Sequence, residues 1–279
     1  MRAEIRKTDG IEGIIQAYTP AGVDDTLQTK TEGSNPLEDV TRKYEEILQD
    51  KYSNLAVLRD YVAKIEDVLQ PEEINRFLQT TIAYEQSRDY QKKTGIFISR
   101  LIQTSYDAGN NNFTLNIQNT KELASLGFNL EGTPENKIKL AIQGNVGNDF
   151  GEYSGNCEYE LLGNAKDFFG RVSRKCTYKI RGNIGWGAGH ESKICEYTIL
   201  GDTLFVCGLE STDCTYTITG TVGSSAGFDS KNSTFKTNNP KTLEYLLSDL
   251  VSVNQDGQPS HNKLVFIHPD GREELMVQI

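Results

Sequence analysis

The sequence predicts an α+β chain built around a short parallel β-solenoid. Three observations predict it: columns of residues that recur at a fixed step, an alternation of apolar and polar residues inside each repeat, and helical apolar spacing on either side. Cys157, Cys176, Cys195 and Cys214 stand 19 apart, and Ser233 continues their register. Two residues on come Tyr159, Tyr178, Tyr197, Tyr216 and Phe235, and two further on Leu161, Ile180, Ile199 and Ile218. Glycines keep the step at Gly144, Gly163, Gly182, Gly201 and Gly220, and again at Gly151, Gly170, Gly189, Gly208 and Gly227. Independent columns in one register mark a repeat architecture.

Within a repeat, Cys, Tyr and Ile fall at i, i+2 and i+4, so they share one face of a strand. The residues between them, such as Thr177, Lys179 and Arg181, are polar and belong to solvent. Gly-Asn, Gly-Asp or Gly-Thr then turns the chain. A second inward set follows at Val146, Ala165, Ile184, Thr203 and Val222, and a third at Phe150, Phe169, Ala188, Cys207 and Ala226. A 19-residue unit is too short for a helical crossover with its return strand, but suits one coil of a solenoid. Residues 138–236 are read as five such coils, a rod roughly 24 Å long at ~4.8 Å per coil. Its open strand edges need caps.

The flanks read differently. Residues 1–33 are polar and turn-rich and are read as an extended or poorly ordered arm. Residues 34–112 are read as a helical domain, with one helix from Pro36 through Leu48 and a second from Ser53 through Leu69. A third opens at Pro71-Glu72-Glu73, with proline in its first turn, and a fourth carries Ile96 through Tyr106 before Asp107-Ala108-Gly109 stops it. These helices suit either a small bundle or a cover for the end of the solenoid. Residues 113–137 are a transition or an irregular first coil. Residues 237–279 hold a capping helix, with Leu243, Leu246, Leu247 and Leu250 on one face, and a β-hairpin around Pro269-Asp270-Gly271.

Charge narrows the function. Acidic residues outnumber basic ones 39 to 29, for a formal net charge of −10. Nucleic-acid and membrane-surface binders carry the opposite footprint, so neither partner is expected. No apolar run is long enough to span a bilayer, and the N-terminus lacks the apolar stretch of a signal peptide. A cytoplasmic location is the expectation.

The glycine stretches GNVGNDFG from Gly144, GNAKDFFG from Gly163, GNIGWGAG from Gly182, GDTLFVCG from Gly201 and GTVGSSAG from Gly220 carry a resemblance. This pattern resembles the GXGXG repeat of the C-terminal domain of the glutamate synthase large subunit, and of the related formylmethanofuran dehydrogenase subunit. The resemblance implies a right-handed β-helix that braces catalytic domains or subunits, with the catalytic machinery elsewhere and no catalytic residue to carry over. The chain departs from the family at Lys166 and Leu204, which replace the middle glycine, and at the second corner, where RVSRK and HESKI stand.

The chemically suggestive residues each have a packing explanation. The cysteine column suggests an iron–sulfur or zinc site, but zinc needs four sulfurs converging at ~2.3 Å, whereas a column spreads four residues over roughly 14 Å. Small buried hydrophobes are the expectation, with a disulfide or shared metal between neighbouring coils as the alternatives. The tyrosine column suggests an aromatic platform, yet it is in phase with the inward cysteines. The glycines match no phosphate-binding pattern and fit corners that need positive φ or close approach. Asp149, Asp167 and Asp202 suggest a glycosidase carboxylate pair, but they do not share one repeat position and read as solvated turn acids. Trp186 and His190 make the best candidate contact surface, with His190 expected to be exposed. No cofactor or metal site is expected.

A non-catalytic scaffold or assembly module that self-associates or binds a protein partner is therefore the leading expectation, and no enzymatic activity of its own. The alternatives are a subunit of a multisubunit redox or amidotransfer enzyme, or a small enzyme with its site where helices meet solenoid.

Overall fold

The computed structural model describes residues 36–252 and 260–278, so the polar arm expected at 1–33 lies outside it. The N-terminal part holds α1 (Pro36–Ile47), a 3₁₀ turn (Asp50–Ser53), α2 (Leu55–Val62), α3 (Pro71–Thr80), a second 3₁₀ turn (Thr81–Tyr84) and α4 (Tyr90–Asp107). The strands follow as β1 (Asn112–Asn116), β2 (Ile138–Gln143), β3 (Cys157–Leu162), β4 (Thr177–Ile180), β5 (Ile184–Trp186), β6 (Glu196–Ile199), β7 (Thr203–Phe205), β8 (Thr215–Ile218) and β9 (Thr234–Thr237). After α5 (Pro240–Ser252) come β10 (Lys263–Ile267) and β11 (Glu273–Gln278). No helix of the described residues is long and apolar enough to cross a membrane.

The solenoid is real and its register is the one the columns predict. Nine strands form one wall in the order β1-β2-β3-β4-β6-β8-β9-β10-β11. Tyr159 pairs with Tyr178, Tyr178 with Tyr197, Tyr197 with Tyr216 and Tyr216 with Phe235, all in parallel. A second wall runs through Val146, Ala165, Ile184, Thr203 and Val222 and includes the β5–β7 pair. A third runs through Gly155, Arg174, Lys193, Thr212 and Lys231. The three predicted inward sets are all buried.

The glycines do two different jobs. A Cβ on Gly163, Gly182, Gly201 or Gly220 would collide with the carbonyl of the glycine one coil earlier, so this column is dictated by close approach. The column at Gly151, Gly170, Gly189, Gly208 and Gly227 sits at φ between 68° and 76°. It is not alone there. Between the second wall and the next strand of the first wall each coil carries further left-handed residues, in one coil Phe168 and Val172 before the third wall and Lys175 just after it. A β-branched residue such as Val172 at φ 55° is uncommon. The bonding explains it: the N–H groups of Phe168 and Val172 reach forward to Trp186 and His190, while those of Gly170 and Arg174 reach back to Phe150 and Ser154. Alternating direction keeps this arc hydrogen-bonded on both sides.

One expectation about the elements needs correction. The second helix stops at Val62 and not at Leu69; residues 65–70 run extended across α4, where Ile65 and Leu69 are buried and Val68 is exposed. Spacing could not separate the two conformations, and Pro71 disfavours a helical Gln70. Of the two readings of residues 113–137, the irregular first coil holds: β1 pairs in parallel with β2, and Leu123 and Glu131 start the second and third walls. Its step is 27 residues (Asn112 opposite Lys139). The terminal hairpin is formed by β10 and β11, and β10 also extends the solenoid wall by pairing in parallel with β9. Of the two arrangements open to the helices, they cover the end of the solenoid, and one continuous core runs from Val40 in α1 to Leu264 in β10.

Both ends are capped by the chain itself. At the first turn the helices present polar side chains to the open backbone edge, in place of a preceding coil. Ser99 accepts from the Gly127 and Phe128 N–H groups, Gln103 accepts from Glu131 N–H, and Asn75 accepts from Asn116 N–H. Gln79, Gln91 and Tyr106 donate to the carbonyls of Asn116, Glu122 and Asn136. At the far end Asp249 of α5 accepts from Ala226 N–H and Asn262 accepts from Ser233 N–H.

Candidate functional site on the solenoid corner

The repeating polar columns are engaged inside the rod. All five cysteines are buried and unbridged. The Cys176 and Cys195 N–H groups donate to the sulfurs of Cys195 and Cys214 at 3.4 Å, and Cys214 N–H donates to the Ser233 hydroxyl at 3.3 Å. Serine thus does in the last coil what sulfur does in the others. Burial pushes the Cys176 and Cys207 thiols up to about 12. Cys195 rises to about 11, chiefly through its hydrogen bond with Cys176. These are poor nucleophiles and poor metal ligands.

The tyrosine rings stack at 4.8–4.9 Å with interplanar angles of 4–7°. They are sealed from solvent, and their hydroxyls donate to the carbonyls of Gly127, Gly151, Gly170 and Gly189. A further column lies beside them, Ser154, Ser173, Ser192, Ser211 and Ser230, all buried. Sequence reasoning overlooked it, although its step of 19 was plain in the sequence.

The turn acids are structural as well. Asn145, Asn164, Asn183 and Asp202 each accept an N–H from the residue 19 further on, which makes a side-chain ladder down the rod. Asp202 accepts from both the N–H and the hydroxyl of Thr221, which holds its carboxyl below the ordinary range. Asp167 accepts from Trp186 N–H at 2.9 Å. These acids are ladder members and not simply solvated ones.

What remains is one corner, where Phe168, Trp186 and His190 come together. The Phe168 and Trp186 rings meet edge to face at 4.7 Å, and Trp186 lies 6.0 Å from the His190 ring. Contrary to expectation His190 is mostly covered, with its side chain 14% exposed, because these two rings lie over it. Its Nε2 is 3.3 Å from Glu191 Oε1, and Glu210 stands one coil on. Next to this group Arg171 lies over Phe168, contacts Asp149 at 3.5 Å and pairs with the buried Glu152. Arg59 of α2 approaches Glu152 at 3.8 Å and stacks on Phe128, tying helices to solenoid. Burial, aided by the charge of Asp149, raises the Glu152 carboxyl above its ordinary value despite Arg171. Neither Arg59 nor Glu152 carried a sequence signal, because their meeting depends on tertiary packing.

The junction of helices and solenoid holds a cleft of about 100 Å³ lined by Arg59, Ser99, Arg100, Gln103 and Phe128 among others. No protein family, no curated protein and no solved structure matches the chain.

Proposed function

We propose that this protein is a non-catalytic assembly module, a rigid rod that binds a protein partner or a second copy through its side. The observation that carries this reading is that the repeating cysteine, tyrosine, serine and asparagine side chains are engaged in bonds within and between coils. The side of the rod supplies a contact face: Leu204 is 60% and Phe205 50% exposed on adjacent positions of β7, beside exposed Leu200. Contiguous apolar exposure of this kind marks interaction surfaces. The GXGXG resemblance agrees with it, and a partner that is the catalytic subunit of a redox or amidotransfer enzyme is one form of the same reading. A site at the junction is disfavoured by the size of its cleft, since ligand pockets run to ~300 Å³ or more.

Light scattering on the full chain, with cross-linking in extracts of its native source, tests the proposal. An assembly larger than one chain is expected in at least one setting, reduced to a single chain by Leu204→Asp with Phe205→Asp. A single chain in both settings refutes it.

A further inference from the structure

We propose that the outer face of the first wall binds the same face of a second copy, with the two rods antiparallel and the twofold axis between β3 and β4. This rests on the assembly reading, for which it names the partner, and it carries the contact face past Leu200 onto the sheet. Parallel sheets are usually covered on both sides. Here no outward side chain of β2, β3, β4, β6 or β8 is buried. Ala141, Thr177, Thr198, Thr215 and Thr217 are short, so a second sheet can approach to the usual ~10 Å.

Charge selects the occupant and its register. Lys139, Glu158, Thr177 and Glu196 lie in one outward row, and Ala141, Glu160, Lys179 and Thr198 in the next. A twofold axis parallel to the strands, between β3 and β4, sets each row against itself in reverse. Lys139 then faces Glu196 of the second copy, and Glu160 faces Lys179, each twice. Among the described residues Lys139 and Glu196 have no ion-pair partner, whereas Lys179 lies 3.5 Å from Glu160. Leu162 and Leu200, each 42% exposed, come onto neighbouring rungs across the interface. Other placements do worse. With the axis on β3, Glu160 would face Glu160; on β4, Lys179 would face Lys179; an axis along the rod would do both. Like charges so placed disfavour those arrangements. Between β2 and β3 only four rungs overlap, and between β4 and β6 no opposite charges face each other. The chosen axis overlaps six rungs, from β1 to β8. At about five residues per rung this is roughly 29 by 17 Å, which suits a weak, concentration-dependent dimer.

Charge reversal tests both partner and register. Sedimentation velocity on the full chain over a concentration series should show a single chain going over to a dimer. Lys139→Glu with Lys179→Glu should weaken the dimer roughly tenfold or more, because like charges then face each other. Glu160→Lys with Glu196→Lys should do the same. None of the four side chains is buried, and unchanged circular dichroism melts check that the fold is kept. Mixed one to one, the two variants set every reversed charge against its opposite, so a heterodimer at least as tight as the wild-type dimer is expected. A dimer unaffected by either pair of substitutions, or folded variants that stay single when mixed, overturns this face and leaves assembly through Leu204 and Phe205 standing. A wild-type chain that stays single at every concentration, yet cross-links to a different protein in native extracts, overturns the second copy alone. If it stays single in both settings, the assembly reading falls with it.

Discussion

Replacement of Gly182 by alanine tests the close-approach column directly. Gly182 lies outside the left-handed region, so alanine meets no backbone objection there. Its Cβ would stand 2.6 Å from the Gly163 carbonyl carbon and nearer still to the oxygen. That obstacle is backbone and cannot rotate away, so two coils must separate locally. The ladder bonds on either side, Arg181 N–H to Leu161 at 3.0 Å and Gly185 N–H to Ala165 at 3.2 Å, are the ones stretched. Losing them costs about 1 kcal/mol each, and overpacking adds about 1–3 kcal/mol. A total of about 3–5 kcal/mol lowers Tm by roughly 10 °C for a chain this size. Gly109→Ala is the control: φ is 106° and nothing lies within 4 Å of the new Cβ. It should cost only about 1–2 kcal/mol of backbone strain. Thermal melts of both variants decide the matter. If Gly182→Ala is no worse than Gly109→Ala, close contact between coils is not what selects this glycine.

The remaining predictions concern thiols and a buried carboxyl. With the Cys176, Cys195 and Cys207 thiols held near 11–12, a disulfide reagent at pH 8 should find no fast-reacting thiol in the folded protein, and all five cysteines after unfolding. Rapid native labelling would contradict the sealed column. Because the folded state holds the Glu152 proton more tightly than the unfolded chain does, this group's contribution to stability falls as pH rises from about 4.5 through the folded value. Glu152→Gln should therefore gain stability relative to wild type between pH 4 and pH 7, measured as the difference in Tm. A difference that shrinks over that range would show that Arg171 and Arg59 outweigh burial.

Legibility in the sequence followed the range of the interactions. Cysteine, tyrosine and glycine columns were readable because each coil meets the next at identical positions, so one local rule is written five times. The Asn145-to-Asp202 ladder was obscured by the change of residue type along it. The extended run 65–70 was not legible, since Ile65, Val68 and Leu69 fit helical spacing and only the surface of α4 selects the other conformation. The capping role of Ser99, Gln103 and Asn75 was invisible for a similar reason: single polar residues on helices carry no pattern. At the candidate site Trp186 and His190 stood out, but the covering of His190 depends on Phe168 one coil away, whose left-handed backbone no local signal announced.

Arg59 of α2 reaches the second turn at Glu152, and Arg174 reaches back two rungs to Glu131, but beyond these the backbone of each coil bonds to its neighbours. Duplicating or deleting one 19-residue unit would then leave every type of contact in place. Rod length can change in increments of about 4.8 Å while both ends stay as they are. Such a protein is adjustable as a spacer: an in-frame duplication alters the separation of its two caps without a new interface having to evolve.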